Sequence, residues 1–131
     1  MAGQISYTSN HSVQSSAGNP LGASYVLVGS AQQTINANLA AGGSGVLQAN
    51  SWGGPGTASG NLVALFLLSN QPMTVRTNSP SSPQDVINLS AGVQFAWDAQ
   101  CGYPYPFAGP VTALYLSNTN ACTFRGLILT Y

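Results

Sequence analysis

Lysine and glutamate are absent from this 131-residue chain, and only two arginines, two aspartates and one histidine can carry charge. Charged residues make up 3% of the chain, against about 25% in an ordinary soluble domain. A formal net charge of zero excludes an electrostatic grip on nucleic acid or on anionic lipid, because both need clustered cations. It also removes the self-repulsion that keeps free copies apart. Long apolar runs are missing too. The longest, Leu62–Leu68, is seven residues, where a membrane-spanning helix needs about 20. The opening residues Met1–Ser6 lack the basic and apolar regions of a secretory signal, so synthesis in a cytoplasm is expected.

With two cysteines, Cys101 and Cys122, one disulfide is conceivable. Free thiols are the commoner outcome without a secretory signal. The lone His11 stands in a polar stretch far from either cysteine, so no tetrahedral metal site assembles within one chain. No cofactor is expected. Asn10-His11-Ser12 and Asn88-Leu89-Ser90 match the glycosylation sequon, which without a signal reads as chance.

Ser, Thr, Asn and Gln fill 45 of the 131 positions. No window places apolar residues at i, i+3, i+4 and i+7 against a charged face, so helices are not expected. Short β-rich runs recur instead, each followed by a turn cluster. Strands are expected at Tyr25–Val28, Thr34–Leu39, Val46–Ala49, Leu62–Leu68, Met73–Thr77, Val86–Leu89, Val93–Trp97, Val111–Leu116 and Cys122–Thr130. Ile5–Tyr7 offers an edge strand. Thr8–Pro20 is polar and aperiodic and reads as a loop or arm, so residues 1–20 are expected to flank a single β domain at 21–131. Gly53–Gly56, Asn78–Pro83 and Cys101–Pro106 read as irregular loops.

Two segments echo one another. Ala64-Leu65-Phe66-Leu67-Leu68-Ser69-Asn70 leads to Thr74-Val75-Arg76, and Ala113-Leu114-Tyr115-Leu116-Ser117-Asn118 leads to Thr123-Phe124-Arg125. A second echo pairs Ile35–Gly42 with Ile87–Gly92. Two related hairpin-rich halves are what a double Greek key leaves in sequence. The expectation is therefore an all-β, antiparallel, jelly-roll-like β-sandwich of about eight strands.

Asp85 and Asp98 are the only side-chain carboxylates. A glycosidase needs two carboxyls converging on one bond, but a turn-capping Asp85 and a strand-closing Asp98 account for both more simply. No activated nucleophile can be assembled, so catalytic residues are not expected. Arg76 and Arg125 hold equivalent places in the echo. Each either forks onto a neighbouring subunit or pairs with an aspartate of its own chain. Trp97 alternates with Val93 and Phe95 and reads as core. Trp52, Tyr103, Tyr105 and Phe107 are candidates for a subunit interface, with sugar stacking the competing role. The prolines at 104 and 106 hold that loop extended.

One stretch carries a resemblance. Pro72-Met73-Thr74-Val75-Arg76-Thr77-Asn78-Ser79 passes to Val86–Gly92, then to Phe95-Ala96-Trp97, Phe107–Asn118 and Leu127-Ile128-Leu129. This half, Gln71–Tyr131, resembles small virion proteins of tailed bacteriophages of the head decoration or cement type. The resemblance implies a jelly roll without active site or cofactor, a homotrimer at three-fold positions of the capsid surface, and the major capsid protein as partner. The N-terminal arm would lie on a neighbour or on the capsid floor. Two alternatives stay open. One is a tail-fibre or baseplate module binding receptor or glycan through Tyr103, Tyr105 and Trp52. The other is a self-assembling filament subunit.

Overall fold

Short runs of Val, Leu, Ile and Thr punctuated by Gly, Asn and Pro allow this chain strands and tight turns. The computed structural model describes residues 4–14, 20–47, 52–53, 61–101 and 103–131, and among these there is no helix. The strands are β1 (Ile5–Gln14), β2 (Pro20–Gly29), β3 (Ala31–Leu39), β4 (Ser44–Leu47) and β5 (Leu62–Ser69). They continue with β6 (Met73–Thr77), β7 (Val86–Leu89), β8 (Phe95–Asp98), β9 (Leu114–Asn118) and β10 (Cys122–Thr130).

Eight of them form two four-stranded sheets, β3-β10-β5-β8 and β4-β9-β6-β7, with every neighbour antiparallel. That order makes the molecule a jelly-roll β-sandwich. Alternation fills the space between the sheets. Ile35, Leu65, Leu67, Phe124 and Ile128 from the first sheet meet Met73, Val75, Leu89, Leu114 and Leu116 from the second. A bulge in β5 opposite Leu129 and Thr130 shifts the alternation, so Leu62 and Leu65 both enter this core. Val63 and Ala64 turn to the outer face.

The echo in the sequence is a pseudo-two-fold in the fold. Advancing each strand of the first sheet by four (β3 to β7, β5 to β9), or taking it back by four (β8 to β4, β10 to β6), gives the second sheet in reverse order. Ala40–Gly43 and Ser90–Val93 are matching turns closed by Gly43 N to Ala40 O (3.2 Å) and Val93 N to Ser90 O (3.1 Å).

β1 and β2 form a separate two-stranded sheet. The expected arm over Thr8–Pro20 is corrected here, because residues 5–14 are a strand paired with β2 from Ile5↔Gly29 to Gln14↔Pro20. Hairpin pairing is made by the main chain, and Thr, Tyr, Val and Ile favour it even in a polar run. Pro20 stands at the first position of its strand, where a missing donor is tolerated. The base of the hairpin packs Leu27, Ile5 and Tyr7 on Val63, Ala64 and Leu129, the outer face of the first sheet. Tyr7 donates its hydroxyl to Gln32 Oε1. Gly29 sits so close that an added Cβ would lie 2.6 Å from Leu129 Cδ1.

Other differences are smaller. Val93 is a turn residue, 59% exposed, so β8 starts two residues later than expected. Val111 lies before β9 in an isolated bridge with Trp52. The loop reading at Gly54–Gly56 and the strand end at Ala49 lie outside the described residues, as does the side chain of His11. Both thiols are free. Cys101 follows β8 and Cys122 opens β10, and those two points are at opposite ends of the sandwich.

Candidate functional site

The two ends of the sandwich differ. One carries only tight turns, at residues 40–43, 70–72, 90–94 and 119–121. The other gathers the longer connections β6–β7 and β8–β9, the Trp52 bridge, the C-terminal Tyr131 and the base of the hairpin.

Polar side chains tie those longer connections together. Asn78, in the left-handed region at φ 66°, donates from Nδ2 to the Pro110 carbonyl at 2.9 Å. Its Oδ1 accepts from Thr112 N at 2.8 Å and Thr112 Oγ1 at 3.2 Å. Asp85 accepts from Ala108 N at 3.1 Å and from Thr77 Oγ1 at 3.3 Å. Asp98, the last residue of β8, accepts from Gln100 N at 2.9 Å. Both carboxylates therefore hold loops. Among the described residues no three of His, Cys, Asp and Glu come together as a metal-ligand set.

Behind these ties runs a chain of aromatic rings. Trp52 lies 5.6 Å from Phe107, Phe107 lies 5.5 Å from Tyr105, and Tyr105 lies 6.0 Å from Trp97 with the rings nearly perpendicular. These are the edge-to-face distances that ring quadrupoles favour. The Trp52 indole donates to the Tyr105 hydroxyl at 3.0 Å, and that hydroxyl donates to the Gly109 carbonyl at 2.9 Å. Burial pushes the Tyr105 phenol above its ordinary value of 10.0. The bond from Trp52 pulls it down, and the nearby Asp85 charge adds to the rise. The Trp97 indole donates to the carbonyls of Tyr103 (3.2 Å) and Pro104 (3.1 Å).

Two of these rings, Trp97 and Tyr105, border a groove of ≈ 560 Å³ between the hairpin base and the β8–β9 loop. Leu27, Asn61, Trp97, Gln100, Tyr103 and Tyr131 line its walls, with Tyr105 at the edge nearest the core. Tyr103 is 79% exposed and Tyr131 56%. None of the lining side chains is charged.

The residues singled out from sequence separate into three groups. Trp52, 2% exposed, and Phe107 are buried in the core, so neither presents a face to a neighbour or a glycan. That corrects their reading as interface residues. Tyr103 and Tyr105 do meet at the groove. Arg76 on β6 and Arg125 on β10 lie in different sheets, Arg125 exposed and Arg76 half-buried. Trp97, read as core, is half-buried and faces the groove with one edge against the core. Tyr131 and Asn61 were not anticipated. They come together only because Tyr131 N bonds to the Asn61 carbonyl at 2.9 Å across a large sequence gap.

Fold and groove define a jelly-roll sandwich with an aromatic cleft, free of charged side chains, at its long-loop end. No protein-family model matches the chain, and no curated protein matches it in sequence. Among solved structures it is similar to a de novo designed double-stranded β-helix determined by solution NMR. Identity is 11% over 77% of this chain and 99% of that one, with a TM-score of 0.36.

Proposed function

We propose that this chain is a non-enzymatic structural subunit of a repeating protein assembly. Within the resemblance of its second half to small tailed-phage virion proteins, that is a capsid decoration or cement protein acting as a homotrimer on the major capsid lattice. The observation that carries the reading is the β1–β2 hairpin. Its strands are ten residues each, a length of about 33 Å, and it pairs with neither sheet of the sandwich. The described side chains that hold it to the body are those at its base, Ile5, Tyr7 and Leu27.

A lone two-stranded hairpin is marginally stable in water. Packing on an adjoining subunit would add to the contacts made at its base. A neutral chain lets copies approach without repulsion, and many modest contacts on a lattice add up through avidity. Ser, Thr, Asn and Gln enter such interfaces at far smaller desolvation cost than charges.

The test is the mass of the purified protein by light scattering over a concentration series, backed by electron micrographs. A closed trimer, stable on concentration, supports the reading. Open-ended growth moves the protein to the filament class. A monomer at every concentration overturns the assembly role.

A further inference from the structure

We propose that the groove at the long-loop end binds a short, uncharged oligosaccharide, with Trp97, Tyr103 and Tyr131 as its stacking surfaces. The inference is independent of the assembly role and rests on four observations at one place. The first is size. At ≈ 560 Å³ the groove falls within the range of about 300–1,000 Å³ typical of small-ligand sites.

The second is exposure. Tyr103 and Tyr131 are among the few large apolar side chains the described residues leave in water, at 79% and 56%. Both border the same concavity. Aromatic surface left exposed together at one concave site marks binding. The negative ring face attracts the weakly positive C–H groups on the flat side of a pyranose.

The third is charge. The lining side chains include no cation to hold a phosphate, sulfate or carboxylate. Asn61 and Gln100 stand at its walls, and amides of this kind suit alternating hydroxyl donors and acceptors.

The fourth is preparation. The Trp97 indole bonds to the carbonyls of Tyr103 and Pro104 at 3.2 and 3.1 Å. Proline at 104 and 106 restricts the backbone on both sides of Tyr105. A surface already fixed in place loses little freedom on binding.

The experiment titrates the full chain with cello-, malto-, chito- and xylotetraose, and separately with sialyllactose and a heparin tetrasaccharide as acidic probes. Backbone amide NMR shifts and tryptophan fluorescence are followed to about 10 mM ligand, the range of weak specific binding. Saturable binding of at least one neutral probe is expected, with shifts centred on Trp97, Ala99, Tyr103 and Tyr131.

Tyr103→Ala and Tyr131→Ala should each weaken that binding tenfold or more while leaving the thermal midpoint in place, since both rings are exposed. Val86→Ala, at a 51% exposed position in the other sheet, should bind as the parent does. Four outcomes overturn the proposal: no saturable binding of any neutral probe, binding of the acidic probes alone, shifts centred elsewhere, or parental affinity in Tyr103→Ala. A monomeric protein that still binds the neutral probe would sink the assembly role and leave this site standing.

Discussion

Gly42 and Gly92 adopt nearly the same backbone angle, φ 68° and 70°, at matching turns after β3 and β7. An added Cβ at either would meet nothing within 4 Å, so crowding plays no part and conformation alone requires glycine. Gly42→Ala and Gly92→Ala should each lower unfolding free energy by about 1–2 kcal/mol, the cost of a left-handed non-glycine residue. Gly→Asn at either place should cost less, because Asn tolerates that region. Urea midpoints with unchanged m-values would check both. A large difference between the two alanine variants would contradict the equivalence of the turns.

Asn78 combines two roles that substitution can separate. Asn78→Gly keeps the positive φ and loses the bonds to Pro110 and Thr112, while Asn78→Ala loses both. The expected order is parent, then Gly lower by about 1–3 kcal/mol, then Ala lower by a further 1 kcal/mol or so. Equal stability of the glycine variant and the parent would show that the staple contributes nothing.

Tyr105→Phe removes the acceptor of the Trp52 indole and the donor to Gly109. A buried N–H left without a partner costs about 1–3 kcal/mol, and the loss should appear in denaturant unfolding with little change in the aromatic packing. The parent should also respond to alkali. Its Tyr105 phenol ionises above the ordinary 10.0 when folded, so above that pH the folded state holds more protons than the unfolded one. Stability is then fully present below about pH 10 and falls as pH rises through the folded value. Tyr105→Phe should lose this part of the alkaline decline, measured as midpoint against pH.

Leu27→Ala should loosen the hairpin and spare the sandwich. Leu27 packs on Ala64 and Leu129 outside the main core, so the lesion is local. Hydrogen exchange of β1 and β2 amides should quicken by an order of magnitude or more, while β10 amides keep their protection. Equal acceleration in both would mean that the hairpin and the sandwich unfold as one unit.

Much of this architecture was legible because turns and alternation are local. The runs Met73–Thr77, Val86–Leu89 and Cys122–Thr130 coincide with β6, β7 and β10, and the two echoes correspond to strands related by the pseudo-two-fold. Even there, register needed the structure. The sequence pairs Ser69-Asn70 with Ser117-Asn118, whereas burial pairs Ser69 with Asn118. Each ends its strand and donates to the carbonyl two residues on, Ser69 to Gln71 at 2.7 Å and Asn118 to Asn120 at 2.8 Å.

What resisted reading was long-range. Beyond Tyr7, strand β1 reads as a loop because polar residues dominate it, and nothing local reveals the partner strand. Trp52 sits beside a glycine-rich stretch that suggests exposure, yet its backbone pairs with Val111 and its ring enters the core. Tyr131 becomes part of the groove only once β10 has carried it back to Asn61.

The pseudo-two-fold also bears on how the chain finds its fold. Strands β5 and β9 are near copies, and each could take the other's place without upsetting the inward pattern of leucines. Such pairs are decoys for one another, within a molecule and between molecules. The difference between them is concentrated in β5, where a bulge stands opposite Leu129 and Thr130 and Leu68 takes the place that Ser117 holds in the β9 copy. That irregularity discriminates between two nearly equivalent pairings, and straightening it should yield more exchanged dimers even if the native sandwich loses little stability.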